Sequence, residues 1–303
     1  MNRNVYRGII LLLCAELCFA GATVFAKIAT TGTDIPAVEV TFFRFFLGFF
    51  IAGFMMLKTK MSFRPNKINL VVWRAILNTL AVILFFLSVK YTTLTNANML
   101  NTTYPIFIFL FAPFIMKEKI TLMQGFYLIL SIFGIYLVIH PNFSNINIGD
   151  WYGLLSGISG ALAIMTLRMA REYDSTALIL FYLMLIGIFI NGAVLIPVFI
   201  IPNHIELWAI VASALLGFAG QAFITSGYRH VEAAKGSIIS SSRIIFSIVL
   251  GIAIFSESIT LRWIIGGILI IISLFGISLP GMWLKLISYF KKIGNSLIGL
   301  LKV

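Results

Sequence analysis

Ten apolar stretches of about twenty residues, joined by short connections, leave this chain few ways to fold, because about 20 apolar residues make a helix long enough to cross a ~30 Å hydrocarbon layer. They run over residues 6–29, 36–57, 69–89, 95–116, 122–140, 151–170, 176–200, 207–228, 234–255 and 261–279. The stretches are continuous rather than alternating, which predicts helices, the form in which a backbone in lipid satisfies its own hydrogen bonds. With 60% hydrophobic and 11% charged residues and a mean hydropathy of +1.05, the chain lies far from a soluble domain, where roughly a quarter of residues are charged. The expected fold class is an all-α integral membrane protein of ten transmembrane helices, with little left over for a soluble domain. After Pro280-Gly281 the stretch 280–303 sets Lys285, Lys291, Lys292 and Lys302 among Trp283, Leu286, Tyr289 and Phe290. That pattern predicts a cytoplasmic amphipathic tail on the membrane surface.

A net charge of +12 in a soluble protein would suggest nucleic acid as a partner. Here the positive charges follow the loops instead, and basic loops mark the cytoplasmic side. If the chain starts inside, seventeen of its 22 Lys and Arg fall on inner segments, among them Arg3, Arg7, Lys58, Lys60, Arg64, Lys67, Arg74, Lys117, Lys119, Arg168, Arg171 and Arg229. Only Lys90 and Arg262 fall outside, while Lys27, Arg44 and Arg243 lie within spans. The expectation is a multi-pass inner-membrane protein with both termini cytoplasmic and no nucleic-acid partner. A cleaved leader over Met1–Ala22 fits poorly, because the apolar run continues past Glu16 to Ala29, too long for a signal-peptide core.

The segment Lys117-Glu118-Lys119-Ile120-Thr121-Leu122 returns 139 positions later as Ser256-Glu257-Ser258-Ile259-Thr260-Leu261. Two five-span repeats, 6–140 and 151–279, follow from that spacing, and an odd number of spans per copy turns the second upside down. Glu118 then falls inside and Glu257 outside, each expected to cap a helix junction rather than touch cargo. Inverted repeats of this kind are characteristic of transporters. The same register sets Tyr104-Pro105 against Arg243-Ile244.

Three charges lie deep in the spans. At 1.5 Å per residue Arg44 sits about 12 Å below the outer end of its span, Arg243 ~13 Å above the inner end of its own, and Glu16 ~15 Å into the first. A charge at the bilayer centre is costly and usually faces a cavity or a partner. One shared midplane cavity of net charge +1 favours an anionic or zwitterionic solute, and the planar fork of arginine suits a carboxylate. Glu16 has three readings: an internal pair with Arg44, a contact for a substrate amine, or a carrier of a coupling proton. Asn98, Asn101, Tyr104, Gln221 and Ser240 add polar groups, either as lining or as interhelical glue. The candidate substrate-binding residues are therefore Arg243, Arg44, Glu16, Asn98, Asn101, Tyr104, Gln221 and Ser240. Lys27 and Glu39, shallow and near the outer interface, are expected to form a solvated pair.

Other classes lack their chemistry. His140, His204 and His230 fall at span ends, and Cys14 and Cys18 suit buried free thiols, so neither an enzyme nor a metal or cofactor site is expected. No phosphate-binding glycine loop or selectivity-filter motif points to an ATP-driven pump or a channel.

Val89-Lys90-Tyr91-Thr92-Thr93 leading into Asn96-Ala97-Asn98, then Tyr104-Pro105, Lys117-Glu118-Lys119-Ile120-Thr121 and Gly134-Ile135, with Glu257, Ile259-Thr260, Gly266-Gly267 and Gly276-Ile277 in the second copy, resemble the drug/metabolite transporter superfamily, specifically its ten-helix EamA-type members. The resemblance implies a secondary transporter working by alternating access, as a monomer or homodimer in contact with membrane lipids. One departure is Arg243-Ile244, where the family pattern usually places a proline. The expected cargo is a small amphiphilic metabolite with a carboxylate, an amino acid or an S-adenosylmethionine-like molecule. A flippase for lipid or lipid-linked head groups is the alternative.

Overall fold

The structure, a computed structural model, describes residues 3–92, 94–141, 146–256 and 260–278. Glu257, Ser258, Ile259 and the amphipathic tail lie outside the described residues. The helices are α1 (Arg3–Thr30), α2 (Ala37–Lys58), α3 (Ile68–Tyr91), α4 (Leu94–Asn101), α5 (Tyr104–Ile115), α6 (Leu122–Ile139), α7 (Ile148–Tyr173), α8 (Thr176–Leu195), α9 (His204–Gly227), α10 (Ala233–Ser240), α11 (Ser242–Phe255) and α12 (Leu261–Ser278), with no strand among the described residues. They make ten segments long and apolar enough to cross a membrane. Large apolar side chains such as Leu122, Phe114 and Ile201 face outward, as a surface solvated by lipid requires.

Two spans expected to be continuous are each broken in the middle. In the first half Pro105 has no N–H, so the Asn101 carbonyl has no donor four residues on. The chain tightens there, with Thr103 N donating to Leu100 O at 3.2 Å and Ile106 N to Thr103 O at 2.9 Å. The second half breaks without a proline. Ser240-Ser241-Ser242, three weak helix formers, occupy the turn, with Ser241 N donating to Ile238 O and Ile244 N to Ser241 O, both at 3.1 Å. The breaks fall at the same register, Asn101 opposite Ser240 and Tyr104 opposite Arg243, so the geometry survives the departure from the proline pattern.

The most extensive helix contacts are α1 with α9, α3 with α7, α2 with α8 and α6 with α12. Exchanging each span for its counterpart in the other half maps this set onto itself, since α1 with α9 becomes α7 with α3. Small residues make the contacts close. A Cβ at Gly220 would come 2.7 Å from the Phe19 ring, and one at Gly157 2.8 Å from Leu100 O. Ser213 Oγ donates to Ala22 O at 2.8 Å, adding a polar tie between α9 and α1.

The connections of one half close the helix ends of the other. Asp174, after α7, accepts from Asn66 N at 2.7 Å and Lys67 N at 3.2 Å, satisfying amides at the start of α3. Glu118, in the repeated segment, accepts from Ala233 N at 2.9 Å and Ala234 N at 3.3 Å, so it caps α10. A carboxylate at a helix N-terminus also meets the positive end of the helix dipole.

Candidate functional site

The broken spans, α1, α2 and α9 bring the deep charges together. Glu16 on α1 is fully buried, and its Oε2 accepts from Arg243 Nε at 2.6 Å. Its partner is thus Arg243, not Arg44. The Arg243 guanidinium also lies 4.6 Å from the centre of the Phe19 ring, a cation–π contact. Although it is mid-span and crowded by these groups, the Arg243 side chain is 42% exposed. Its neighbours therefore do not enclose it.

Arg44 reaches the same region from α2. Its aliphatic stem fills the gap at Gly217, where a Cβ would stand 2.5 Å from Arg44 Cδ, and its guanidinium is close enough to Arg243 to repel it. Arg44 Nε is buried without a hydrogen-bond partner, and no carboxylate pairs with Arg44 among the described residues. Tyr104 opens α5 and Arg243 is the second residue of α11, and the two side chains interact. The counterparts of the repeat register thus lie near each other. Both half-helices begin here, and their N-terminal ends favour negative charge.

Tyr104 and Tyr228 both turn toward Ser240. Glu16 Oε1, Tyr228 Oη, Ser240 Oγ and Ser242 Oγ are buried without hydrogen-bond partners. An unsatisfied buried polar group costs about 1–3 kcal/mol, so each of these atoms has capacity for a further polar partner.

Three of the sequence candidates stand apart from it. Asn101 Nδ2 donates to Ser156 Oγ at 2.6 Å, and Ser156 Oγ to Ala81 O at 2.8 Å, which makes Asn101 a strut between α4, α7 and α3. Asn98 is exposed, and its carbonyl accepts from Thr102 N and Oγ1 at 2.9 and 2.6 Å. Gln221 Oε1 accepts from an Arg74 terminal nitrogen at 3.3 Å. Arg74 itself, counted above with the inner segments, is only 1% exposed inside α3. Its nearness to the helix start suggested a loop-side charge, but that position faces the bundle. Its signal was a lone charge in the apolar run Leu70–Leu84. Glu39 is likewise not solvated. It is fully buried and accepts from Ile200 N at 3.3 Å, while the Lys27 ammonium lies 4.1 Å from the centre of the Phe255 ring.

At the end of α9, His230 sits outside the spans in a basic cluster. Burial first, then Arg7, Arg229, Arg171 and Arg168, hold its pKa below the ordinary value.

Comparison with known proteins agrees with this architecture. A solved crystal structure superposes with a TM-score of 0.74 over 90% of this chain and 96% of its own, at 14% identity, so the fold is shared. An uncharacterized transporter of Helicobacter pylori (strain ATCC 700392 / 26695) is 28% identical, covering 93% of this chain and 98% of its own. A pseudopaline exporter, CntI, of Pseudomonas aeruginosa (strain UCBPP-PA14) is 23% identical over 89% and 95%. An S-adenosylmethionine uptake transporter of Rickettsia prowazekii (strain Madrid E) is 21% identical over 79% and 82%. The pattern of the EamA-like transporter family matches twice, over residues 6–140 and 147–279. Ten apolar helices and a match that spans nearly all of them carry one conclusion: this chain belongs to the EamA-like transporter family.

Proposed function

We propose that the chain is a secondary transporter of the inner membrane, both termini cytoplasmic, whose cargo is a small amphiphilic metabolite bearing a carboxylate. The two halves, read as inverted repeats of 6–140 and 151–279, rock about the paired breaks to expose one midplane site to each side in turn. The observation that carries this reading is the charge imbalance. Beside Arg44 and Arg243 the described residues bring one carboxylate, Glu16, which pairs with the part-exposed Arg243 and leaves Arg44 unpaired, so a cargo carboxylate supplies the missing negative charge. Arg44 and Arg243 offer it forked donors, the α5 and α11 N-termini add positive potential, and Tyr104 and Ser240 offer hydroxyls. Glu16 then has a second role, as the internal anion that holds Arg243 when the site is empty. A relative named for S-adenosylmethionine uptake fits a cargo that joins a carboxylate to an apolar or ring-bearing body.

Uptake into proteoliposomes of a panel of amino acids and S-adenosylmethionine tests this. Arg44→Gln should cost on the order of 100-fold in kcat/KM, as expected for losing a charged hydrogen-bonding partner. Unchanged transport by that variant would remove Arg44 from the site. Scrambling of a fluorescent phospholipid in the same vesicles, with no solute carried, would favour a lipid flippase and overturn the reading.

A further inference from the structure

The first site does not use the most deeply buried arginine. Arg74 leads the fully enclosed side chains by volume, yet no carboxylate pairs with it among the described residues. Of its five N–H donors, one reaches Gln221 at 3.3 Å, and Nε is buried without a partner. A buried guanidinium kept only for packing is a poor solution, because apolar residues of similar volume stabilise as well or better. An enclosed cation with donors left over is suited to take an anion.

The surroundings say where that anion comes from. Arg74 is six residues into α3 and Gln221 six residues before the end of α9, both ~9 Å from the N-terminal side of the membrane. Arg243, ten residues beyond the start of α10, lies ~15 Å in, so the two levels are ~6 Å apart. Tyr228, the residue after α9, has neighbours at both levels. It is fully buried with Oη unpartnered, it interacts with Arg74 on one side, and it faces Glu16, Tyr104 and Ser240 on the other, with Glu118 also near. Thr225 Oγ1, in the same turns of α9, is buried without a partner as well.

We infer that Arg74, Gln221 and Tyr228 form a second anion station, one step toward the N-terminal side from Arg243, which receives the cargo's carboxylate when it leaves the midplane. This rests on the proposed function. In the present conformer the station is sealed by α10: a Cβ at Gly236 would lie 2.4 Å from the Tyr228 ring, and Glu118 pins the amides that open that helix. Opening toward the N-terminal side therefore requires α10 to lift off Tyr228, the side chain that lies beside Arg74.

The test has an arm that needs no cargo. In a Cys14→Ala/Cys18→Ala background, Gln221→Cys, which keeps Arg74 beside the new thiol, is treated in oriented vesicles from each side with membrane-impermeant thiosulfonates, one anionic and one cationic. Expected is modification from the N-terminal side, about tenfold faster for the anionic reagent. No modification from either side, modification only from the opposite side, or equal rates for the two charges would overturn the station. The second arm uses Arg74→Met, which should keep the wild-type Tm in detergent while losing at least ~30-fold in transport of any panel compound that the wild type carries. Normal transport by Arg74→Met would also overturn it. If the wild type carries no panel compound, the proposed cargo class fails, and the labelling arm alone decides the station.

Discussion

Replacing Arg243 with glutamine is expected to destabilise the folded protein more than replacing Glu16 with glutamine, although the two side chains form one ion pair. Glu16 is fully enclosed, whereas Arg243 is 42% exposed. Removing the arginine strands a buried carboxylate, and breaking a buried pair in that way costs about 3–5 kcal/mol. Removing the carboxylate leaves an arginine that is part-exposed and lies against Phe19, at a cost of about 1.5–3 kcal/mol. Thermal unfolding in detergent measures the difference, and equal losses would contradict the asymmetry of the pair. Transport should respond in the opposite order. With Glu16→Gln the internal competitor for Arg243 is gone, so cargo is held more tightly and leaves more slowly, lowering KM and kcat together. The double variant should recover stability relative to Arg243→Gln alone without recovering transport.

Gly266→Val is expected to abolish folding. A Cβ at Gly266 would lie 2.6 Å from Gly134 O, and one at Gly134 2.7 Å from Gly266 O. Each glycine faces the other's backbone, so no side chain can rotate aside, and the strain falls on the separation of α6 and α12, one of the principal helix pairs. The alternative to strain is to part the helices and lose their packing, and the resulting loss exceeds about 4 kcal/mol, the range reserved for the severest core changes. Neighbouring Gly267 meets nothing within 4 Å, and Gly267→Ala should fold normally with a slight gain from helix propensity. Size-exclusion profiles and Tm of the two variants check the contrast. A monodisperse Gly266→Val protein with wild-type Tm would refute it.

Hydropathy made the ten spans legible because each is a run of adjacent residues and lipid admits few other folds. It could not reveal that two of them break. The Pro105 break has a chemical marker, but the Ser240–Ser242 break depends on three modest propensities that the surroundings tip. The depths of Glu16, Arg44 and Arg243 were also readable, since distance along a helix is a count of residues. Which arginine meets Glu16 was not, because a partner 227 residues away depends on helix rotation and neighbours. The same limit hid Arg74: depth alone placed it near an interface, and only the α3 to α9 contact shows that it points inward. Asn101 shows the converse, a polar side chain in the right span that is spent on holding α7 against α4.

The unequal numbers of arginines and acids at the midplane also bear on voltage. An alternating cavity takes the potential of whichever side it opens to, so one net positive charge fixed in it feels a swing of up to about 2.3 kcal/mol per 100 mV. Bound monoanionic cargo cancels that charge. On the proposed alternating-access reading, membrane voltage would drive the empty protein's return and leave the loaded passage untouched, a difference that should appear as a charge movement without cargo on solid-supported membranes and vanish in Arg44→Gln.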